Sequence, residues 1–167
     1  MIRSIAAVDD CLGLGTEAGI PWDVPADVEH FRASVASSDV LMGYATYLEF
    51  ERPLPGGTNF VLARSGSALR DGFVPVLELP SFLIQARVSG LWIIGGAKLY
   101  AGTLPFVEEL HLTRIEGDFG CTKFFPPFES SFTMATDTPF PETAGTPAFR
   151  FQTWRRDPGP RARAGTA

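Results

Sequence analysis

Asp27 stands in a sequence context that suits acid–base chemistry in an apolar pocket. It follows the run Pro-Trp-Asp-Val-Pro over residues 21–25, and Pro25 is a favourable first residue for a helix. Asp27, Phe31 and Val35 recur at helical spacing, so the carboxylate shares a helix face with two apolar side chains. An acid in a first helical turn can also simply complement the helix dipole from the solvent side. The apolar face favours the pocket, where loss of hydration would raise the pKa of Asp27.

Two glycine-containing segments could bind phosphate. Gly95 and Gly96 follow an apolar run and precede a helical pattern, so backbone N–H groups and the positive helix end are accessible to an anion. Residues 43–46 repeat this arrangement after another apolar run, and Thr46 adds a hydroxyl donor. A glycine pair alone more often marks a tight turn. The strand before it and the helix after it favour phosphate binding.

Apolar periodicity predicts alternating strands and helices that would position these groups. Predicted strands cover residues 2–8, 40–43, 58–63, 74–77, 91–94, 107–115, 132–136 and 149–154. One predicted helix begins at Pro25, and others cover 46–50, 80–88 and 97–104. Residues 9–24 form a long loop typical of a lid, and residues 138–147 form a second loop. This order predicts an α/β sheet covered on both faces, with an antiparallel pair of strands at its C-terminal edge.

Composition indicates a single domain over residues 1–154. A chain of 167 residues, 45% of them hydrophobic, can bury one sizeable core. No apolar run is long enough to span a bilayer and the N-terminus lacks a signal-peptide pattern, so we expect a cytoplasmic protein. Cys11, Cys121, His30 and His111 lack metal-site spacing, so we expect free thiols and no metal.

Charge separates this domain from the C-terminal residues. The formal net charge is −5, and because residues 155–167 contribute +3, residues 1–154 carry −8. An acidic domain argues against nucleic-acid binding and leaves a small molecule as the expected partner. Residues 155–167 hold four arginines and no large apolar residue, so we expect a disordered basic tail. We expect a monomer or a weak homodimer.

Five further segments extend the pattern that begins at residues 21–27. They are Met-Gly-Tyr-Ala-Thr-Tyr at 42–47, Arg-Pro-Leu-Pro-Gly at 52–56, Asn-Phe-Val-Leu at 59–62, Ile-Gly-Gly-Ala-Lys-Leu-Tyr at 94–100 and Leu-His-Leu-Thr-Arg-Ile at 110–115. In this order and at these spacings, the set resembles the dihydrofolate reductase family over most of residues 1–154. The resemblance implies that family's fold, a mostly parallel twisted sheet of about eight strands with helices on both faces, and NADPH as cofactor. It does not fix the substrate.

For the cofactor, the resemblance implies that Arg64 and Ser65 bind the 2′-phosphate of NADPH through a guanidinium and a hydroxyl. Without the resemblance, Arg64 would be interpreted as a solvated turn residue. Tyr44 stands where many relatives carry a basic residue, and Ala97 replaces a frequent third glycine. The implied cofactor-binding residues are Ala7, Gly15, Gly43, Tyr44, Ala45, Thr46, Ala63, Arg64, Ser65, Gly95, Gly96, Ala97, Lys98 and Leu99.

For the reaction, the resemblance implies hydride transfer to the carbon of a C=N bond whose nitrogen gains a proton. Asp27 would hold the N–C–N edge of a pterin, Thr113 would hydrogen-bond to Asp27, and Trp22 would help to position a proton-relay water. The implied substrate-binding residues are Ile5, Ala7, Ile20, Phe31, Phe50, Leu54, Ile94 and Tyr100, each of which could instead belong to an ordinary core.

One position departs from the family pattern. Relatives that reduce dihydrofolate carry an arginine directly after the Pro-x-Gly turn, where it clamps the α-carboxylate of the substrate's glutamate, whereas this chain has Gly57. Loss of such a pair costs on the order of 2 to 5 kcal/mol of binding. Arg32 and Arg52 could reach that carboxylate in part, but from different positions.

Three hypotheses follow from this departure. The first is an NADPH-dependent reductase of another small C=N substrate, such as a cyclic imine or an iminium formed from a hemiaminal. Its role would lie in biosynthesis, or in detoxification that includes antibiotic resistance. The second is a genuine dihydrofolate reductase with a weakened glutamate site. The third is a non-catalytic protein that binds NADPH or a pterin, although Trp22, Asp27 and Thr113 together disfavour it.

Overall fold

Strand β1 (Ile2–Val8) runs through the interior of an eight-stranded sheet in the computed structural model, which describes residues 1–159. Its neighbours β6 (Leu91–Ile93) and β7 (Glu109–Ile115) both run parallel to it. Apolar side chains point from β1 to both faces, as expected for a strand with helices on either side. The sheet therefore positions the carboxyl ends of these three strands at one edge.

The remaining strands extend the sheet on both sides of this centre. β3 (Val40–Gly43), β4 (Asn59–Leu62) and β5 (Phe73–Val76) continue the parallel part beyond β6. β10 (Phe149–Arg156) and β9 (Phe132–Phe140) form an antiparallel edge beyond β7. Two short strands, β2 (Gly13–Gly15) and β8 (Lys123–Phe124), pair separately. This architecture confirms the predicted fold class.

Within residues 1–159, four helices cover the two faces of the sheet. They are α1 (Pro25–Val35), α2 (Tyr44–Leu48), α3 (Leu79–Ser89) and α4 (Ala97–Thr103), and a 3-10 turn over Leu104–Phe106 follows the last one. α3 and α4 pack with Leu41 and Ile93 on one face. α1 and α2 pack with Met42 and Trp92 on the other. Neighbouring strand residues therefore belong to different cores, which is the two-residue period of a buried strand.

The structure differs from the sequence prediction at several boundaries. α2 begins at Tyr44, directly after β3, and not at Thr46. β9 continues to Phe140 although residues 138–140 were predicted to belong to a loop. These residues are exposed and include a proline, but their backbone pairs with β10 at the sheet edge. β2 and β8 were not predicted because strands of three and two residues show no periodicity.

The C-terminal boundary also lies later than predicted. Arg155 and Arg156 pair with Thr133 and Phe132, and the Arg156 guanidinium lies 4.4 Å from the centre of the Phe132 ring. The predicted tail therefore begins inside β10, and its residues 160–167 lie outside the described part of the chain. Within residues 1–159, no helix combines the length and the apolar character needed to cross a membrane.

Candidate active site

Asp27 is placed by the first turn of α1 against strand β7. Pro25 begins the helix, and the Asp27 N–H donates to the Val24 carbonyl at 2.9 Å. Val24 is 4% exposed and fixes the start of the helix in the interior. The Thr113 hydroxyl, itself buried in β7, donates to Oδ1 of Asp27 at 2.5 Å. The predicted pairing of these two residues is thus present in the geometry.

Burial determines the electrostatics of this carboxyl group. Loss of hydration raises the pKa of Asp27 above its ordinary value, while the Thr113 hydroxyl and the charge of His30 oppose the rise. No lysine or arginine within residues 1–159 forms an ion pair with Asp27. The carboxyl group is therefore available to a cationic or N–H-rich ligand.

Five of the residues predicted to line the substrate site share one apolar cluster. Ile5 of β1 and Ile94 after β6 are buried there, together with Val35 of α1. Half-buried side chains complete the cluster, namely Phe31, Phe50 and Leu54. A partly open apolar wall is the usual setting for a flat heterocycle.

Ile20 does not join this cluster. Its side chain is 64% exposed in the loop before Trp22. Ala7 lies opposite Thr113 in the register between β1 and β7, and it is half-buried. The structure therefore brings Ala7 to the level of the acid and leaves Ile20 on the surface.

Tyr100 belongs to the core on the other face of the sheet and forms a hydrogen bond with Ile5 of the apolar cluster. Its hydroxyl donates to the Ile5 carbonyl at 2.6 Å, and both groups are buried. Burial raises the pKa of Tyr100, and the negative charge of Asp27 adds to the rise. Tyr100 therefore remains a neutral donor to the Ile5 carbonyl.

Trp22 belongs to a second apolar cluster beside the site. It packs with Val24, Ile115 and Phe149, and its ring meets the ring of Phe119 edge-on at 5.3 Å between centres. Ile115 lies two residues after Thr113 on the same strand. Trp22 is therefore held by the strand that carries the partner of Asp27.

His30 is a site neighbour that the sequence did not reveal. Its ring stacks on Phe151 at 4.2 Å. Burial lowers the pKa of His30, the charge of His111 lowers it further, and Asp27 opposes both. The sequence signal for His30 was its spacing of three residues from Asp27, because residues i and i+3 are neighbours on one face of a helix.

The two predicted phosphate segments meet at the ends of adjacent strands. The Gly43 N–H donates to the Gly95 carbonyl at 2.6 Å, and the Gly95–Gly96 peptide bond is cis. A Cβ atom on either Gly95 or Gly96 would lie 3.3 Å from Oγ1 of Thr46. The two glycines therefore leave the Thr46 hydroxyl uncrowded.

The other implied cofactor-binding residues occupy surrounding positions. Tyr44, Ala45, Lys98, Arg64 and Ser65 are exposed, and the last two lie in the turn after β4. Ala63 donates its N–H to the Val76 carbonyl at 3.0 Å, which fixes the start of that turn. Ala97 is half-buried, and Leu99 is buried in the core. Gly15 lies in β2, where its carbonyl accepts the Thr122 N–H at 2.9 Å.

Gly57 is enclosed by the segment between α1 and β3. A Cβ atom at Gly57 would overlap the carbonyl oxygen of Ser38. Asp39 accepts the Thr58 N–H at 2.8 Å, and Asn59 donates to the Gly57 carbonyl at 3.2 Å, so this approach is fixed on both sides. The left-handed φ of this turn belongs to Gly56, at 96°.

Comparison with known proteins identifies relatives that match most of the described chain. The family model described as "Dihydrofolate reductase" matches residues 1–156. A dihydrofolate reductase from Bacillus subtilis is 30% identical over 132 residues, which cover 78% of this chain and 79% of that protein. Dihydrofolate reductase type 3 from Salmonella typhimurium is 35% identical over 132 residues, 78% of this chain and 81% of that protein.

Further similarity comes from a eukaryote and from a solved structure. The dihydrofolate reductase of Drosophila melanogaster is 33% identical over 156 residues, covering 82% of this chain and 86% of that protein. The solved structure of dihydrofolate reductase from Enterococcus faecalis, complexed with NADP(H) and RAB-propyl, superposes with a TM-score of 0.86. At 24% identity, covering 95% of this chain and 97% of that one, this match supports the fold.

Proposed function

This chain belongs to the dihydrofolate reductase family, and from that premise we propose that it catalyses the NADPH-dependent reduction of the C=N bond of 7,8-dihydrofolate or a related reduced pterin. One observation carries the proposal. The half-buried carboxyl group of Asp27 accepts a hydrogen bond from Thr113 and forms no ion pair with a lysine or arginine among the described residues. A pterin offers it an N–H-rich edge that becomes cationic when the ring is protonated.

The described residues supply binding, charge and proton handling for this reaction. NADPH would supply the hydride, which adds to the carbon of the C=N bond. Protonation of the nitrogen makes that carbon a better hydride acceptor, and the Asp27 carboxylate stabilises the resulting cation. The apolar wall of Phe31, Phe50 and Leu54 excludes water from the ring and strengthens that interaction.

The glycine surface at the strand ends fits a dinucleotide cofactor. Side chains at Gly95 or Gly96 would press on Thr46, so the absence of Cβ atoms keeps backbone N–H groups and the Thr46 hydroxyl accessible. Arg64 and Ser65, exposed after β4, would hold the 2′-phosphate. This assignment predicts a preference for NADPH over NADH.

Gly57 favours a second candidate substrate. The carbonyl of Ser38 occupies the direction in which a side chain at Gly57 would begin, so an arginine clamp for a glutamate tail cannot be mounted there without rearrangement. Arg32 and Arg52 are both exposed. This geometry supports a substrate without the tail, such as a cyclic imine or an iminium derived from a hemiaminal. It also predicts weak binding of antifolates that depend on a glutamate group.

The catalytic set argues against a protein that only binds. Trp22, Asp27 and Thr113 lie on adjoining elements, and a binder of NADPH or pterins needs no residues for proton transfer. The third hypothesis from the sequence therefore has the least support.

NADPH oxidation by the purified protein tests the proposal directly. We would compare dihydrofolate, a 7,8-dihydropterin without the glutamate tail, and a panel of cyclic imines and hemiaminals. Turnover of the two pterins supports the leading proposal, and turnover of an imine alone supports the second candidate. If NADPH binds but no substrate is reduced, both fail in favour of a binding protein.

A further inference from the structure

A fully buried carboxylate lies outside the site described above. Asp9, which follows β1, is 0% exposed. Its Oδ1 accepts the N–H groups of Gly13 at 2.7 Å and of Cys11 at 2.9 Å, and its Oδ2 accepts the Phe119 N–H at 3.2 Å. The Cys121 side chain lies beside this carboxylate. Burial alone would raise the pKa of Asp9, but these donors outweigh it and hold the pKa below its ordinary value, so the group is an anion.

These hydrogen bonds join the lid loop to a distant part of the chain. Residues 11–13 lie near the start of the loop over residues 9–24, and residues 117–121, which we call the connecting segment, lie between β7 and β8. A Cβ atom on Gly13 would lie 2.5 Å from Cβ of Cys121 and 2.8 Å from Oδ1 of Asp9. The two segments therefore meet closely, with the carboxylate enclosed between them.

The connecting segment also contacts the candidate active site. Phe119 donates its N–H to Asp9, and its ring packs edge-on against Trp22. Both rings belong to the cluster that contains Val24, three residues before Asp27. A continuous path of direct contacts thus runs from Asp9 through Phe119 to Trp22.

We propose that Asp9 is a positioning residue for proton transfer, because it fixes Phe119 and Phe119 holds Trp22 in the required orientation. This inference rests on the proposed reductase function. Cys121 and Gly13 complete the enclosure that keeps the Asp9 carboxylate in place. Asp9 itself touches neither the acid nor any group of the substrate site among the described hydrogen bonds.

Two substrates separate a role in proton transfer from a general structural role. Reduction of a neutral 7,8-dihydropterin adds a hydride to carbon and a proton to nitrogen, while NADPH becomes NADP⁺. An N-methylated iminium analogue carries its positive charge permanently. It takes up the hydride alone and becomes a tertiary amine, so it needs no proton relay.

The test measures single-turnover hydride transfer in Asp9→Asn with both substrates. Asn keeps the size of the side chain but replaces one acceptor oxygen with an N–H₂ group. This group would face the backbone N–H donors around Asp9 and could not accept from them. We expect the rate of hydride transfer to the neutral substrate to fall about tenfold, which is less than the loss of a full acid–base group would cause. The rate with the cationic substrate should change by less than about twofold. The matched control is Asp118→Asn, because Asp118 is exposed and accepts only the nearby Gly120 N–H among the described hydrogen bonds.

Phe119→Leu tests the other end of the path and keeps the N–H that Asp9 accepts. It should show the same selective loss, and the double variant should lose no more than the more impaired single variant. If Asp9→Asn does not fold, Phe119→Leu decides alone. Equal losses on both substrates, or rates like those of the Asp118→Asn control, would overturn the inference. If the wild type reduces neither substrate, the proposed function fails, and this inference fails with it.

Discussion

The hydroxyl of Thr113 lies 2.5 Å from Oδ1 of Asp27, across 86 residues of sequence. The donor belongs to a central strand and the acceptor to the first turn of the helix packed on that sheet. A hydroxyl that donates to a carboxylate stabilises its charged form, and burial works in the opposite direction. The balance of these two effects sets the charge of Asp27, on which both reaction and stability depend.

Asp27→Asn should abolish most of the activity while NADPH still binds. Asn cannot become an anion, so it neither stabilises the cationic substrate nor passes on a proton. We expect hydride transfer to a neutral pterin to fall by at least about two decades. A permanently cationic iminium should lose less, because its charge does not depend on protonation. Pre-steady-state rates measure this, and unchanged rates on the neutral pterin would remove Asp27 from the mechanism.

The same substitution should stabilise the unliganded protein at neutral pH. Folding raises the pKa of Asp27. At pH values between the ordinary pKa and this raised pKa, the folded protein therefore binds more protons than the unfolded chain. Wild-type stability therefore falls as the pH rises through this window, and Asp27→Asn avoids that loss. Urea unfolding at several pH values should give Asp27→Asn a larger free energy of unfolding than the wild type only above the ordinary carboxyl pKa. Asp23→Asn, at an exposed position, is the control, and an advantage equally large at low pH would refute the explanation.

Arg64→Ala should reduce the preference for NADPH over NADH. The guanidinium is exposed directly after β4, where it would meet the 2′-phosphate, and a charge-assisted hydrogen bond contributes roughly 1.5 to 3 kcal/mol. The substitution should raise the Kd for NADPH and leave the Kd for NADH nearly unchanged. Arg87→Ala, an exposed arginine on α3, provides the comparison. A wild type that uses both cofactors equally would contradict the role of Arg64.

The sequence located the parallel strands and most helices because their apolar periodicity is local. The edge residues 138–140 were missed because their strand pairing depends on β10, not on their own composition. The family resemblance identified Asp27 and Thr113, but no local pattern could show that Asp9 meets Phe119 110 residues later. The contact between Gly57 and Ser38 could not be predicted from the sequence either, because it results from the path of two loops in space.

Gly57→Ala should destabilise the protein. The new Cβ would overlap the Ser38 carbonyl, and overpacking of this kind costs about 1 to 3 kcal/mol. For the same reason, Gly57→Arg should strain the fold before the new guanidinium can bind a substrate tail. Gly102→Ala in α4 is the control, since only Leu79 lies near its added Cβ, and helix propensity predicts a gain of roughly 0.5 to 1 kcal/mol. Equal melting temperatures for wild type and Gly57→Ala would show that the two loops separate easily.

Removing the glutamate tail from the substrate should change kcat/KM by less than about tenfold. An arginine clamp on a tail carboxylate contributes on the order of 2 to 5 kcal/mol, which corresponds to roughly two to three decades or more of binding. Gly57 has no side chain and its outward direction is closed by Ser38, so that contribution is absent at this turn. Exposed Arg32 and Arg52 remain as weak, solvent-screened contacts. The measurement compares dihydrofolate with 6-methyl-7,8-dihydropterin at two salt concentrations, and any small preference should shrink at high salt.

A preference of about a hundredfold or more for dihydrofolate would show that the tail finds a strong partner elsewhere. Arg32→Ala and Arg52→Ala would then locate that partner, and the argument from Gly57 for a tail-independent substrate would be wrong.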